Sequence, residues 1–245
     1  MFRKIELKEG AYIVSDAHFS SSRPQLQLFL EAIVSEQLQP AQLILMGDIF
    51  DALFGSIPHT YKEKIEVIKL LQNIAKKIEV IYLEGNHDFN LKAVFDNVTI
   101  VPIKQQPLHA TFKTKGVWLA HGDFDAPFGY QLYTALIRNP LILKILRPID
   151  ALFGHFILNF VDKHLGKKDD CKQLEWFAGF IEKRFDKKLE CDYFIEGHFH
   201  QNKSFDIGKT YYTNLGAFAC NQRYFVVKSM QENMILEEKK FSKES

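Results

Sequence analysis

The chain has 245 residues, of which 47% are hydrophobic, and its formal net charge is +1 at pH 7. A chain of this length and composition can bury a full core as one large domain with room for an insertion. The near-zero charge provides no global field that would favour nucleic acid or a strongly acidic partner. The three cysteines are sparse and lack paired spacing, which predicts free thiols in a reducing compartment.

The N-terminus begins with the short polar stretch Met1-Phe2-Arg3-Lys4, which does not resemble a secretory signal. The longest largely apolar run, residues 151–161, is shorter than the roughly 18–20 residues that a membrane-spanning helix requires. We therefore expect a protein that is cytoplasmic and either soluble or peripheral to a membrane.

The first ninety residues alternate strand-like and helix-like patterns. Short apolar runs at 11–14, 43–46 and 80–83 are typical of buried strands. Between them, apolar residues recur at helical spacing after Ser21-Ser22-Arg23-Pro24 and again over residues 60–77. Two right-handed crossover units of this kind build a parallel sheet.

From Thr99 onwards the pattern changes to short strands separated by proline and glycine. This pattern predicts a second sheet that is mixed or antiparallel. We expect strands near residues 209–213, 224–228 and 234–236 to continue that second sheet.

Residues 124–191 form an unusually apolar segment with a helical pattern. The stretch from Leu136 to Lys168, inclusive, contains six basic and only two acidic residues among many Leu, Ile and Phe side chains. Apolar surface rimmed with lysine and arginine is typical of lipid or membrane contact, whereas the alternative is a plain hydrophobic helical core. We assign residues 1–123 and 192–241 to a core and 124–191 to an inserted helical cap.

Five apolar runs end abruptly in residues that can bind metals. The five motifs are Asp16-Ala17-His18, Gly47-Asp48-Ile49-Phe50-Asp51, Gly85-Asn86-His87-Asp88, His121-Gly122-Asp123 and Gly197-His198-Phe199-His200. Ligands in an open α/β sheet collect where strands end. About seven oxygen and nitrogen donors are too many for one tetrahedral zinc ion and suit a pair of divalent ions.

The donors divide into two sets that share one residue. Asp48 is the natural bridging ligand because its carboxylate has two oxygens. The other ligands fall into one set of Asp16, His18 and His200 and another of Asn86, His121 and His198. Residues at i and i+2 of an extended chain share a face, so each Asp16/His18 and His198/His200 pair can point into one cavity. This mixture of donors favours Mn²⁺, with Fe²⁺ or Zn²⁺ as further candidates.

Two further residues are candidates for catalysis. His87 directly follows Asn86 and can face the substrate, where it would stabilise phosphoryl oxygens or protonate a leaving oxygen. We expect Asp88 to fix the tautomer of His87. Asp51 and Asp123 are ambiguous, because each can support a ligand or simply stabilise its loop.

The five motifs, intact and in order from Asp16 to His200, resemble the calcineurin-like metallophosphoesterase superfamily. The resemblance implies an α/β fold of four layers, α/β/β/α, with two mixed sheets flanked by helices. This fold class agrees with the strand and helix pattern described above.

Within that superfamily the chain is similar to the UDP-2,3-diacylglucosamine pyrophosphatases of lipid A biosynthesis. The similarity includes Gly129-Tyr130-Gln131, the basic apolar insertion and Leu215-Gly216-Ala217. It implies hydrolysis to UMP and 2,3-diacylglucosamine 1-phosphate on the inner face of the cytoplasmic membrane, with acyl chains held by the insertion. The substrate contacts that we expect on this basis are Tyr130, Lys167, Lys168, Phe153 and Phe156.

Two local departures from that narrower family keep other substrates open. His87 stands where the common enterobacterial-type members have arginine, and Ala126-Pro127-Phe128 replaces an acidic pair. The alternatives are a phosphoesterase for a soluble nucleotide or other phosphodiester and a non-catalytic scaffold on the same fold. A nuclease is disfavoured because no basic groove with interleaved aromatic residues is visible.

Overall fold

Fourteen strands and five α-helices are found in the described part of the chain, together with three short 3-10 helices at Pro58–Lys64, Leu91–Ala93 and Ile103–Gln105. The computed structural model describes residues 5–125, 127–139, 141–143, 171–185, 189–229 and 235–242. The strands are β1 (Ile5–Glu6), β2 (Tyr12–Val14), β3 (Leu43–Leu45), β4 (Leu53–Phe54), β5 (Val80–Leu83), β6 (Asp88–Phe89), β7 (Thr99–Val101), β8 (Leu108–Phe112), β9 (Lys115–Ala120), β10 (Tyr193–Glu196), β11 (Lys203–Ile207), β12 (Thr210–Asn214), β13 (Arg223–Val227) and β14 (Leu236–Lys240). The helices are α1 (Gln25–Val34), α2 (Ile65–Ala75), α3 (Phe128–Ile137), α4 (Phe177–Phe185) and α5 (Phe218–Asn221).

The first sheet has the strand order β14-β13-β2-β3-β5-β7. Strands β2, β3, β5 and β7 run parallel, with α1 and α2 in the connections, so the two predicted crossover units are confirmed. The expectation that β13 and β14 continue the second sheet is wrong, because β13 pairs antiparallel with β2 and β14 pairs with β13. Strand β7 also joins this first sheet rather than the second.

The second sheet has the order β1-β8-β9-β10-β12-β11 and is mixed, as expected. Strands β9, β10 and β12 run parallel, whereas β8–β9 and β11–β12 are antiparallel pairs. A separate two-stranded pairing of β4 with β6 joins the chain after Asp48 to the chain after Asn86. That small sheet therefore brings two of the ligand motifs together.

The alternating side chains of the strands divide the interior into three apolar layers. Ile13, Ile44 and Ile81 lie between the two sheets, whereas their neighbours Val14 and Leu45 pack under α1 and α2. This period of two is the pattern expected for strands buried on both faces. On the outer face of the second sheet, α4 buries Phe177, Ile181 and Phe185. The predicted α/β/β/α arrangement is confirmed.

The segment 124–191 is described only near its two ends. Helix α3 contains Tyr130, and α4 is packed on the second sheet. Four predicted substrate contacts, Phe153, Phe156, Lys167 and Lys168, lie outside the described residues. The boundaries of an inserted cap therefore stay a prediction. Among the helices that the structure describes, none has the length and apolar content to span a membrane.

The cysteines differ from the sequence-based expectation. Cys171 and Cys220 form a disulfide, so the prediction of free thiols is wrong for this pair, and Cys191 alone is free. Sequence spacing could not reveal the pair because 49 positions separate the two residues. Cys220 lies in α5, the turn whose Ala219 amide donates a 3.1 Å hydrogen bond to the carbonyl of Asp16.

Candidate metal centre

The predicted metal ligands converge beyond the carboxyl ends of five strands, as ligand sites in such sheets do. The ligand atoms of Asp16, His18 and His200 all lie within 4.8 Å of one another, and so do those of a second group. The second group consists of Asp48, His121 and His198. The structure thus brings together the members of both predicted sets, although the roles of the individual residues stay predictions.

In the first set, Asp16 is fully buried beside imidazole groups. Nε2 of His200 lies 3.1 Å from Oδ1 of Asp16. Burial alone would raise the pKa of Asp16, but the imidazoles of His200 and His121 together outweigh burial and lower that pKa to about 2. The carboxylate is therefore ionised at neutral pH, which is the form that binds a cation.

In the second set, a hydrogen bond to the main chain of Met46 fixes the orientation of the His121 ring. Its Nδ1 lies 2.9 Å from the carbonyl oxygen of Met46, so Nδ1 must carry the proton that is donated to this acceptor. The opposite nitrogen, Nε2, lies 3.2 Å from Oδ1 of Asn86 and 3.4 Å from Oδ2 of Asp48. It also lies 3.2 Å from Nδ1 of His198.

Nε2 of His121 therefore faces the lone pairs of Asn86, Asp48 and His198 at close range. Such an arrangement is stable only with a proton or a cation among these atoms. Burial would lower the pKa of His121, but Asp48 outweighs it and raises that pKa well above its ordinary value. Burial and the nearby His121 lower the pKa of His198 to about 4, so His198 offers a neutral imidazole. A metal ion can replace the proton on Nε2 of His121, because carboxylate, amide oxygen and neutral imidazole are its ordinary ligands.

The backbone at the ligands is unusual. Asp16, His18, Asp48, His198 and His200 all have φ between 45° and 65°, in the left-handed region. The expectation that Asp16/His18 and His198/His200 lie on extended chain is therefore wrong. Such conformations disfavour a non-glycine residue by about 1–3 kcal/mol each and cluster at functional sites.

Two glycines allow the ligand loops to approach each other. A Cβ at Gly85 would overlap Oδ1 of Asp48 and lie 2.6 Å from the Asp48 amide nitrogen. A Cβ at Gly197 would overlap Oγ of Ser15 and lie 2.6 Å from Oδ2 of Asp16. Since each close contact involves a ligand residue or its neighbour, the absence of a side chain at these positions is a condition for the site.

Asp88 has a different role from the one expected. Its buried carboxylate accepts hydrogen bonds from the amides of Asp48 (3.0 Å), Ile49 (2.6 Å), Phe50 (3.3 Å) and Gly85 (2.9 Å), and from the hydroxyl of Tyr82. The prediction that it fixes the His87 tautomer is therefore wrong in its geometry. Burial and the Asp48 carboxylate raise the pKa of Asp88 to about 7. Asp88 holds the backbone of the Asp48 loop.

The ring of His87 is oriented instead by the main chain of Asp51. Nδ1 of His87 lies 2.9 Å from the carbonyl oxygen of Asp51 and donates to it, which leaves Nε2 on the side of Asp48, 3.8 Å from Oδ2. The side chain of Asp51 lies 3.5 Å from Nδ1 of His18 and 3.4 Å from Arg23. Asp51 thus contacts His87 and His18 together, and its role in supporting a ligand stays a prediction.

Sequence reasoning missed three residues that hold these loops. Asn214 ends β12 and is buried, accepting a hydrogen bond from the Gln201 amide at 2.7 Å and donating one to the Gly197 carbonyl at 2.6 Å. Arg138 and Arg184 lie against the loop after His121. No local signal distinguishes them, because their partners are distant in the sequence.

Comparisons with known proteins identify the family to which the chain is similar. A family model described as calcineurin-like phosphoesterase matches residues 11–202. The UDP-2,3-diacylglucosamine hydrolase of Pseudomonas putida is 28% identical over 147 residues, which cover 58% of this chain and 61% of the relative. That of Stutzerimonas stutzeri is 29% identical over 140 residues, or 55% of this chain and 58% of the relative. The chain thus spans about three fifths of the length of these curated relatives.

Solved structures show a weaker likeness. A structure described as a novel archaeal phosphodiesterase has a TM-score of 0.46 and 16% identity, covering 93% of this chain and 97% of that chain. A likeness of this strength carries no argument about function. The family model, in contrast, spans well over half of the sequence and includes all five ligand motifs. The chain belongs to the calcineurin-like phosphoesterase family.

Proposed function

We propose that this protein is a dinuclear-metal hydrolase that cleaves the pyrophosphate of UDP-2,3-diacylglucosamine to UMP and 2,3-diacylglucosamine 1-phosphate, a step of lipid A biosynthesis. The observation that carries the proposal is the convergence of two ligand groups, Asp16/His18/His200 and Asp48/His121/His198, at one edge of the sheets. The names of the curated relatives support the choice of substrate.

We further propose two divalent ions as cofactors, with Mn²⁺ preferred and Fe²⁺ or Zn²⁺ also compatible with the donors. Asp16, His18 and His200 would hold one ion, and Asn86, His121 and His198 the other, with Asp48 shared. When bound, such ions supply Lewis acidity and lower the pKa of water at the site. The ionised state of Asp16 and Asp48 supports this assignment, because neighbouring imidazoles outweigh burial and lower both pKa values.

The protein's own residues would position the reaction and move the proton. His87 keeps Nδ1 on the Asp51 carbonyl, so Nε2 is the nitrogen that can accept or release a proton. In its protonated form, Nε2 would donate to a phosphoryl or leaving oxygen. Asp88 would act as a positioning residue, because it fixes the amides that precede and follow the Asp48 side chain.

Exposed apolar side chains support a lipid substrate. Helix α3 and the residues after it expose Leu132, Leu136 and Leu141, and Trp176 and Phe180 are exposed at α4. A contiguous apolar patch on a surface marks contact with a lipid or another partner, and we propose that these side chains contribute to one. We propose that residues 124–191 form a lipid-binding cap and that the protein is peripheral on the inner, cytoplasmic face of the membrane, with Tyr130, Phe153, Phe156, Lys167 and Lys168 in contact with the substrate.

Product analysis by mass spectrometry tests this function directly. Purified protein would be incubated with UDP-2,3-diacylglucosamine, Mn²⁺ and detergent, with Asp48→Ala as the matched control. UMP and the lipid monophosphate, formed by the wild type and absent from the control, are the expected products. Metal-dependent hydrolysis of a generic phosphodiester without cleavage of the lipid nucleotide would reject the substrate, and binding of metal without any hydrolysis would favour a scaffold.

A further inference from the structure

Two arginines, one from each end of the 124–191 segment, are buried against the same loop, residues 122–125. Arg138 directly follows α3, and Arg184 lies in α4. Their side chains are only 10% and 9% exposed. Arginine is almost never buried to this degree without charged partners, so the contacts of each guanidinium identify what it holds.

Arg138 links α3 to the loops of two predicted ligands. Its Nη2 donates to the carbonyl oxygen of Gly85 at 2.9 Å and lies 3.2 Å from Oδ2 of Asp123. Its guanidinium also lies over the ring of Phe89, 5.5 Å from the centroid. Gly85 precedes Asn86 in the chain, and Asp123 comes two residues after His121. Arg138 therefore binds the peptide carbonyl next to Asn86 and the side chain of the residue two positions after His121.

Arg184 makes the corresponding link from α4. Its Nη2 donates to the carbonyl oxygen of Gly122 at 2.9 Å, and its Nη1 lies 2.8 Å from Oε1 of Glu196. Nε and Nη2 also bind the carboxylate of Asp125, at 2.6–2.9 Å. Three rings surround the guanidinium, those of Phe124, Phe185 and Phe199.

The partners of Arg184 also adjoin predicted ligands. Gly122 follows His121, and Glu196 comes two residues before His198 at the end of β10. The buried carboxylate of Glu196 also accepts a hydrogen bond from the Tyr212 hydroxyl. Removal of the guanidinium would leave Glu196 buried without its cation, which is a strongly unfavourable arrangement. The strand end that carries His198 would then shift.

The contacts of both arginines thus point to one half of the metal centre. They adjoin Asn86, His121 and His198, whereas Asp51 lies beside His18 of the remaining set. Asn214 binds peptides next to His198 and His200 alike, so it does not distinguish the two halves. We propose that Arg138 and Arg184 are positioning residues for the Asn86/His121/His198 set, and that they couple α3 and α4 to that half of the centre. This inference rests on the dinuclear centre proposed above.

Titration with Mn²⁺, followed by electron paramagnetic resonance, distinguishes the two halves. The wild type should bind two ions and give the signal of a spin-coupled pair. Arg138→Gln and Arg184→Met should keep the affinity for one ion and weaken the other about 10–100-fold, as loss of a group that orients a metal ligand does. The signal of isolated Mn²⁺ should then replace the coupled signal at intermediate concentrations.

Arg223→Gln is the matched control, because Arg223 is also largely buried and pairs with Glu238, at 2.5 Å, on strands that carry no predicted ligand. It should lower the melting temperature but keep the coupled signal. Arg184→Lys retains the positive charge but lacks the planar set of N–H donors. Its affinity for the second Mn²⁺ ion should lie between those of the wild type and Arg184→Met. If Arg184→Met does not fold, Arg138→Gln and Asp125→Asn provide the same comparison.

Wild-type affinity for both ions in Arg138→Gln and Arg184→Met would overturn the inference, and so would equal weakening of the two ions. Hydrolysis is measured separately on the same samples. A wild type that binds two coupled ions but cleaves no phosphoester would reject the proposed function, whereas the selective loss of one ion would still support the positioning role. A wild type that binds only one ion would overturn both.

Discussion

The hydroxyl of Tyr82 donates a 2.6 Å hydrogen bond to Oδ2 of Asp88, and both side chains are buried. The same carboxylate accepts hydrogen bonds from the amides of Asp48 and Ile49, so Asp88 connects β5 to the loop that carries Asp48. We therefore expect Asp88 to act as a positioning residue, with an effect on chemistry that is transmitted through Asp48.

Asp88→Asn should reduce both stability and activity. The amide NH₂ of asparagine would face donors instead of accepting from them, which should lower the free energy of unfolding by about 2–3 kcal/mol. We expect kcat to fall about 10–100-fold as the Asp48 loop shifts. Tyr82→Phe removes only the hydrogen bond from the tyrosine hydroxyl to Asp88, so it should lower the free energy of unfolding by only about 1 kcal/mol. Thermal unfolding and steady-state kinetics measure both effects, and unchanged values for Asp88→Asn would contradict this role.

His87→Asn should separate proton transfer from metal binding. Because Nε2 of His87 is the nitrogen left free by the Asp51 carbonyl, its loss should lower kcat by about 10²–10⁴-fold. The bound metal, measured by elemental analysis, should remain at the wild-type level. His121→Asn is the comparison, since it should lose metal together with activity. Parallel loss of metal in the two variants would assign His87 to the ligands.

Two Gly→Ala substitutions should have opposite effects. Gly85→Ala places a methyl group against Asp48 Oδ1 and the Asp48 amide, so it should destabilise the fold by about 1–3 kcal/mol and abolish binding of at least one ion. Gly179→Ala in α4 meets no heavy atom within 4 Å and should stabilise the helix by about 0.5–1 kcal/mol. Metal content and thermal unfolding of both variants test the comparison. Normal metal content in Gly85→Ala would show that the loops can separate.

The free thiol of Cys191 should react slowly at neutral pH. Burial raises its pKa to about 11, so the reactive thiolate is scarce at about pH 8 and increases as the pH rises towards that value. Alkylation of native, unreduced protein should therefore be slow, accelerate with pH and add a single label, because Cys171 and Cys220 are paired. Mass spectrometry provides the count, with unfolded protein as the reference. Rapid labelling near pH 8, or three labels without a reductant, would contradict the expectation.

Phe153→Asp tests the lipid-binding cap. If Phe153 contacts acyl chains, a buried charge there should reduce turnover of the lipid nucleotide by at least about tenfold, with little effect on a small soluble phosphodiester. Phe156→Asp is the parallel variant. Kinetics on the two substrates give the answer, and an equal loss on both would assign these residues to folding.

The ligand motifs could be predicted from the sequence because each depends on local information. An apolar strand ends, a small residue allows a turn, and Asp, Asn or His follows, so the convergence needed only the rule for parallel strands. The alternation of Ile13 with Val14 similarly predicts a strand between two apolar layers. Local pattern was sufficient for these features.

Features that depend on distant partners could not be predicted in this way. Strand β13 pairs with β2 although about 200 residues separate them. The same reason hides the disulfide and the partners of Arg184. Local residue preferences also do not predict the left-handed backbone at His18 and His200, because the surrounding structure imposes that conformation.

The left-handed backbone at the candidate ligands implies a conflict between stability of the fold and metal binding. At five positions a side chain that we propose as a metal ligand lies on backbone that glycine or asparagine would adopt more easily. Substitutions that relax the chain there would improve the fold while they remove ligands. Selection for thermal stability alone would thus erode this candidate centre, because each substitution that relaxes the backbone also removes a side chain that could bind a metal.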